Sequence, residues 1–512
     1  MQSLKEFSIY TRSTIDSKYT YALLANAEAM GLSKLLLNEN AGSNIAHELL
    51  HKHKNDSILV VCGCGGNGSI GISVARHLFE YVPSLDIALL CDGSEIKSNE
   101  ARTNLEIMRK LTDIVEIKGD MEKLKAMVKK ADVVIDAIIG VGLRGRADKN
   151  LSNAIRVIND YAHYIVSVDL PSGLNADTGL PNKVCINANL TYMLYKPKPL
   201  SVTRSYVKNS IILDLGLPFS SELLAGPGDV MLATEPIAFN ANKYTHGSVL
   251  IVGGSADYPG APLLAAHSSM NAIASLYSGS GYVTVAAPSG SLKNEMVPPT
   301  LIVKEFGARE FSAEDIPRIA DIRHDVAVIG PGLASTSKGF ESIMKFIKSE
   351  LARKKGVIID AAAIKAISRN TSVLGKNCIV TPHDGEFKSL TGVNLKNAPL
   401  EKRIYAAIDF AKSYKCTIVL KGHETIITDG SLLKVNVAAS PALATMGTGD
   451  VLSGIIASYF AAHNNAFESA VAGVYVHSLI GDELYKEKGV HITAEDVIAK
   501  IPSVLKRFDV II

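Results

Sequence analysis

The stretch Ala444-Thr445-Met446-Gly447-Thr448-Gly449-Asp450, followed at once by the apolar run 451–462, holds the residue types that phosphoryl transfer needs. Small and hydroxylated residues with two glycines leave backbone N–H groups uncovered where the run opens a helix, and such a helix start binds an anion. A carboxylate would repel that anion, so Asp450 suits the alcohol that gains or loses the phosphoryl group, as its base. The plainer alternative is an Asp-capped helix after a glycine turn. Two other segments end strand-like runs in carboxylates and glycines: residues 136–145, from Asp136 through Gly140 and Gly142 to Gly145, and Val168-Asp169-Leu170-Pro171-Ser172-Gly173. Asp169 follows apolar residues, where partial burial raises a carboxyl pKa and makes a proton shuttle, unless it only caps the turn before Pro171. Lys421-Gly422-His423-Glu424-Thr425 offers a cation and a pliant backbone to an anion, and in Thr381-Pro382-His383-Asp384-Gly385-Glu386 a proline helps fix a histidine.

Elements must bring these groups together. Short Val- and Ile-rich runs alternate with helix-like stretches from about residue 58, the pattern of βα units around a mostly parallel sheet. Strands are expected at 58–62, 87–91, 133–139 and 164–168, and in a second series at 248–252, 282–286, 326–329, 357–359, 377–380 and 417–420. Glycine and proline punctuate residues 215–228, which sets a boundary between domains 1–220 and 225–512. In the first domain Gly63, Gly65 and Gly68 form a GxGxxG before the helix-like 72–81, and Asp92 follows the next strand. A dinucleotide site, a plain NAD-dependent dehydrogenase and a tight structural turn all fit that motif. The strand ends at Gly65 to Gly68, Asp136 to Gly142 and Asp169 to Gly173 can converge on one crevice.

Composition narrows the partners. Lys plus Arg (53) nearly balances Asp plus Glu (51), with no long run of one sign, so neither nucleic acid nor an anionic membrane is indicated. No apolar stretch reaches the roughly 20 residues of a spanning helix, and no signal core follows Met1. Six scattered cysteines (Cys62, Cys64, Cys91, Cys185, Cys378, Cys416), several in apolar runs, read as reduced core residues and make the cytoplasm the expected compartment.

Glu39-Asn40-Ala41-Gly42, the glycine turn, residues 136–143 and Asp169-Leu170-Pro171-Ser172-Gly173-Leu174 occur in this order in a chain that resembles the NAD(P)H-hydrate epimerase (YjeF N-terminal) family over about residues 10–215. The resemblance implies a Rossmann-like three-layer α/β/α domain with Asp169 as the acid/base. It implies substrate contacts at Gly140, Val141, Gly142, Leu143, Arg144, Gly145 and Arg146, and a potassium ion at Asn67, Asp136 and Ser172. The family turn usually carries an Asn and an Asp that are missing from Gly66-Asn67-Gly68-Ser69-Ile70-Gly71, two polar groups that would face substrate or ion; a non-catalytic binding module is the alternative.

Gly253-Gly254-Ser255, Tyr258-Pro259-Gly260-Ala261, Gly330-Pro331-Gly332-Leu333, the His383 and Lys421 segments, the Asp450 segment and residues 472–477 form an ordered set. It resembles the NAD(P)H-hydrate dehydratase (YjeF C-terminal) family, a ribokinase-like α/β fold, over about 225–505. The match implies that Ala261, Gly332, His383 and Asp450 contact the hydrated dinucleotide. Lys421, Gly422, His423, Glu424, Thr425 and Gly449 would then hold the adenine nucleotide. Asp360-Ala361-Ala362-Ala363 departs from the usual Asp-Ala-Asp-Ala. Together the halves resemble the bifunctional repair enzymes, which implies ADP as phosphoryl donor, Mg2+ and a homo-oligomer. A ribokinase-like small-molecule kinase fused to a binding module is the rival.

Overall fold

Two parallel sheets organise the chain in the computed structural model, one in each of two units, Arg12–Pro218 and Met1–Thr11 with Phe219–Ile512. The structure describes residues 2–143, 148–199, 206–234, 236, 247–276, 282–293, 295–307, 310–334, 336–437 and 440–509.

The first unit contains β1 (Ser57–Cys62), β2 (Ser84–Leu89), β3 (Ile114–Glu116), β4 (Val133–Ala137), β5 (Tyr164–Val168), β6 (Leu190–Leu194) and β7 (Ser210–Leu213). Their order is β3-β2-β1-β4-β5-β6-β7 with every neighbouring pair parallel. Residues along β1 alternate between two cores. Ile58, Val60 and Cys62 face one that includes helices Lys34–His53, Gly66–Leu78 and Asn99–Met108, and Leu59 and Val61 face one with Met121–Lys130 and Lys149–Tyr161. Burial on both faces explains why β1 is an unbroken apolar run from Ile58 to Cys62. Strand order reverses between β1 and β4, where the carboxyl ends leave a crevice in such sheets.

The second unit contains β8 (Ser248–Val252), β9 (Tyr282–Pro288), β10 (Ile302–Phe306), β11 (Val326–Ile329), β12 (Gly356–Ile359), β13 (Cys378–Val380), β14 (Thr417–Leu420), β15 (Thr425–Thr428) and β16 (Leu433–Asn436). Their order is β10-β9-β8-β11-β12-β13-β14-β15-β16, parallel as far as β14 and antiparallel in the last three. Helices Gly260–Leu276 and Thr448–His463 cross closely: a Cβ on Gly454 would lie 2.0 Å from Ser268 Oγ. Among the described residues no helix is long and apolar enough to cross a membrane.

The strands expected at 87–91 and 133–139 stop at Leu89 and Ala137, because the chain leaves the sheet there to build loops. The helix expected at 72–81 is Gly66–Leu78 and starts inside the glycine turn. β3, β6, β7, β10, β15 and β16 were not anticipated. The reading of all six cysteines as reduced is corrected. Cys62, Cys185, Cys378 and Cys416 are free and buried, while Cys64 and Cys91 form a disulfide. Both follow the ends of adjacent parallel strands, which brings their Cα atoms to 6.1 Å, within bonding reach.

The 3-10 helix Gln2–Tyr10 belongs to the second unit. Phe7 is fully buried in its core with its ring 5.0 Å from that of Tyr405, and Lys412 Nζ donates to Tyr10 Oη at 3.0 Å. Phe7→Ala should therefore destabilise the second unit by about 3–5 kcal/mol and leave the unfolding of Arg12–Pro218 unchanged, measured by hydrogen exchange in each unit.

Candidate functional site

In the first unit β4 and β5 deliver the two carboxylates. Pairing of Asp136 with Ser167 across these strands sets the hydroxyl of Ser167 2.7 Å from Asp136 Oδ2. Ser172 adds its amide to Oδ2 at 2.8 Å and its hydroxyl to Oδ1 at 2.5 Å, and that hydroxyl oxygen accepts from the Ile139 amide. Burial raises the Asp136 pKa, against the lowering effect of these bonds, and among the described residues no basic side chain pairs with it. Asp169 lies one residue beyond β5 with φ +64°, a left-handed conformation that Asp tolerates better than most side chains. Its amide donates to Tyr192 O at 2.8 Å. Oδ1 lies 3.0 Å from Lys198 Nζ and accepts weakly from the Leu194 amide at 3.4 Å.

Oδ2 faces the loop after β4. A Cβ on Gly140 would lie 3.0 Å from Asp169 Oδ2 and 3.2 Å from Asn67 Oδ1, so a side chain there would crowd both groups. Asn67 is held by its own amide, which donates to Val168 O at 3.2 Å. The structure thus brings Asn67, Gly140 and Asp169 together, with Asp136 and Ser172 tied to the same loop through Ile139. Val141 packs near Leu170 and Leu174, and a Cβ on Gly142 would meet Tyr21 Oη at 3.2 Å. Leu143 is half-buried, and Arg144, Gly145 and Arg146 lie outside the described residues.

Glu39 to Gly42 serve packing: Glu39 pairs with Arg76 and accepts from Ser73 Oγ, and Asn40 donates to Leu215 O. Ile70, standing where the family has a polar group, is buried in the core, and Ser69 bonds Asn38. Asp92, the residue a dinucleotide fingerprint would use on a ribose, has Oδ1 bonded by the Ser94 amide at 2.9 Å and Oδ2 paired with Lys118 at 2.6 Å.

In the second unit the helix Thr448–His463 starts after Gly447, whose φ of +88° is left-handed, and no side chain caps it. Its first amide bonded within the helix pattern is that of Val451, donating to Gly447 O; the amides of Gly449 and Asp450 make no backbone bond among the described residues. They are open to an anion. Lys421, one residue beyond β14, points there: a Cβ on Gly449 would lie 3.7 Å from its Nζ. The ammonium lies 3.2 Å from Asp360 Oδ1 and 4.0 Å from Glu386 Oε2. Asp360 is buried and receives hydroxyls from Thr381 at 2.8 Å and Ser453 at 2.7 Å.

Electrostatics then separates the three carboxylates. Burial would raise Asp360, but the Lys421 charge and the two hydroxyls outweigh it and leave the pKa below its usual value. Glu386 goes up through burial despite Lys421. Asp450 is pushed up to about 7 by burial and by the charge of Asp360, only partly offset by Lys421. A carboxyl titrating there is matched to proton transfer at neutral pH. Ionisation is complete only above that value, so kcat/KM of a reaction that uses Asp450 as base should fall tenfold per unit of pH below about 7, measured as a pH–rate profile.

His383 caps the helix Asp384–Thr391: its Nδ1 accepts from the amides of Gly385 and Glu386 at 2.9 and 3.3 Å. That fixes the neutral ring's proton on the exposed Nε2 as a donor. Pairing of His383 with Lys421 aligns the two loops. Gly332, φ +65°, is pressed against Tyr258 O, and its Cβ would lie 3.2 Å from Ala261 Cβ, so the glycine turns after β8 and β11 meet at the start of helix Gly260–Leu276. That helix continues to Leu264, which packs against Gly447. Gly422 abuts the Arg403 guanidinium, while His423 is largely exposed beside Glu424, and Thr425 Oγ1 donates to Gly422 O at 3.3 Å.

Sequence reasoning did not find Lys198, Thr381 or Ser453, and it gave Arg403 no role. Arg403 grips Asp384 with two bonds of 2.8 Å through Nη1 and donates to Lys421 O at 3.3 Å, which steadies both loops. Lys198 had one available signal, its place between Pro197 and Pro199 just past a strand.

Folds and sites together define a two-domain α/β protein, Rossmann-like in its first half and ribokinase-like in its second. A family model described as NAD(P)H-hydrate dehydratase matches residues 249–503, and one described as YjeF-related protein N-terminus matches residues 34–200. The bifunctional NAD(P)H-hydrate repair enzyme of Hyperthermus butylicus is 35% identical over 489 residues, 94% of this chain and 90% of that protein. Its counterpart from Archaeoglobus fulgidus is 35% identical over 497 residues, 96% of this chain and 98% of that protein. A solved structure of the ADP/ATP-dependent NAD(P)H-hydrate dehydratase from Bacillus subtilis, co-crystallised with ATP/Mg2+, is 28% identical with a TM-score of 0.45, covering 55% of this chain and 96% of that one. The chain belongs to the family of bifunctional NAD(P)H-hydrate repair enzymes.

Proposed function

We propose that the chain repairs hydrated nicotinamide dinucleotides. Its first unit interconverts the R and S hydrates of NADH and NADPH, and its second dehydrates the S hydrate at the expense of ADP, releasing AMP and phosphate. The observation that carries the reading is Asp450, a carboxyl tuned to about 7, set among unsatisfied helix amides and the Lys421 ammonium. Asp450 takes the proton of the ring hydroxyl as that oxygen attacks the terminal phosphorus of ADP and the bond to AMP breaks. The amides of Gly449 and Asp450, with Lys421, stabilise the charge on the migrating group. Phosphate, a far better leaving group than hydroxide, then departs from the hydrated carbon while its neighbour loses a proton, which restores the double bond. Ala261, Gly332 and the Nε2 of His383 border the dinucleotide; Lys421, Gly422, His423, Glu424, Thr425 and Gly449 border the adenine nucleotide. Mg2+ shields the diphosphate when bound.

In the first unit Asp169 Oδ2 is the acid/base at the hydrated carbon: it protonates the hydroxyl as the carbon–oxygen bond breaks to release water, with the ring nitrogen stabilising the cation, and takes the proton back as water adds to the opposite face. Potassium would be held by Asn67, Asp136 and Ser172: Asp136 is buried with no basic partner among the described residues, and the donors are hard oxygens. Exchanging K+ for choline should slow epimerisation and, if the ion was present at about 100 times its Kd, lower the stability of Arg12–Pro218 by about 2.7 kcal/mol, read by hydrogen exchange. We expect a cytoplasmic homo-oligomer, with size-exclusion light scattering as the check on assembly. Incubation with ADP and hydrated NADH tests the whole reading. Regrowth of the reduced-nicotinamide absorbance supports repair, whereas nucleotide consumption with a stable phosphorylated product supports a small-molecule kinase.

A further inference from the structure

We infer that Lys198 is a positioning residue of the epimerase site, fixing the Asp169 carboxylate so that one oxygen is held and the other is presented to substrate. The two residues follow adjacent parallel strands, Asp169 one residue beyond β5 and Lys198 four residues beyond β6. Their side chains are 8% and 1% exposed, and Nζ lies 3.0 Å from Oδ1. The division of labour within the carboxylate is clear. Oδ1 takes the ammonium and the Leu194 amide, and Oδ2 faces the Gly140 loop and Asn67.

The backbone that carries Lys198 is built to hold it still. Tyr195 turns the chain with φ +66°, Lys196 donates from its amide to Leu194 O and from Nζ to Arg12 O, and Pro197 O accepts from Ile15. Proline on both sides of Lys198 restricts it further. Burying an ion pair contributes little net stability compared with apolar packing of the same volume, so stability alone gives poor grounds for placing one at the strand ends that form a crevice. Orienting a reacting carboxylate does give such grounds, since a displacement of about 1 Å can cost about 100-fold in rate.

This inference rests on Asp169 being the acid/base of epimerisation. The test is epimerisation of the R hydrate by Lys198→Met and Lys198→Arg in the full chain, with turnover of the S hydrate as the internal control. Lys198→Met should lower kcat about 100-fold with KM within about twofold, and Lys198→Arg should recover kcat to within about tenfold of the parent. Equal kcat in Lys198→Met and the parent overturns the inference, as does an arginine variant no better than the methionine one. Should Lys198→Met fail to fold in Arg12–Pro218 by hydrogen exchange, Lys198→Arg alone decides, with a kcat loss beyond about 100-fold counting against the inference. Asp169→Asn separates the two levels. If that variant epimerises at the parent rate, the acid/base reading fails; if it is inactive while Lys198→Met is unimpaired, only the role of Lys198 fails.

Discussion

Asp450→Asn removes ADP-dependent recovery of NADH, by a factor of about 1,000 or more, and melts at a higher temperature than the parent. The first effect follows from losing the only described carboxyl that sits on the anion-binding helix start. The second follows from the proton it holds. An unfolded chain releases this proton near 3.8, the ordinary value for an aspartate, and the folded chain near 7, so folding takes up a proton between those values. The group's contribution to stability is therefore least unfavourable below pH 4 and worsens as pH rises from 4 to 7, by about 4 kcal/mol. Asparagine carries no such burden, and it relieves repulsion with Asp360 and Glu386. The gain should be visible at pH 8 and absent near pH 4, by calorimetry. An asparagine variant that still turns over the S hydrate would end the proposed mechanism.

Asp169→Asn has the opposite signature: epimerisation falls to the spontaneous rate, a loss of about 100- to 10,000-fold, and the first unit becomes less stable. Asparagine tolerates the left-handed backbone at this position, so the local fold is kept where alanine would strain it. What disappears is the negative charge 3.0 Å from the buried Lys198, a loss of about 3 kcal/mol or more. Dehydration of the S hydrate should be unchanged. With pure R hydrate as substrate, parent-like conversion in this variant would make the first unit a binding module. Two carboxylates with parallel placements at strand and helix ends thus respond oppositely to the same substitution, because one has a cation at bonding distance and the other has carboxylate neighbours.

What the sequence could tell follows from the range of each signal. Ten expected strands lie within or overlap observed ones because strands buried on both faces must be short apolar runs, a local property. β10, with Lys304 and Glu305 in its sequence, and the hairpin β15–β16 lack that signature: β10 and β16 are the two edge strands and β15 lies beside β16. The Asp450 loop was legible because glycine, hydroxyl and carboxylate all fall within seven residues. Thr381, Ser453 and Asp360 come from three separate elements, and only the sheet order reveals that they share one hydrogen-bond cluster. The Cys64–Cys91 bond was invisible for the same reason, since two adjacent strands bring together residues 27 apart in sequence.

Phe7 gives the chain an unusual order of completion. Residues 2–10 are synthesised well before Tyr405 and Lys412, on which Phe7 and Tyr10 pack. That segment must wait while Arg12–Pro218 is made, and it closes the later unit only after residues 405–412 have followed. Gene fission at the glycine-rich junction would strand that plug on the wrong fragment, so a separately expressed dehydratase half would need the opening eleven residues supplied as a peptide to regain its full core.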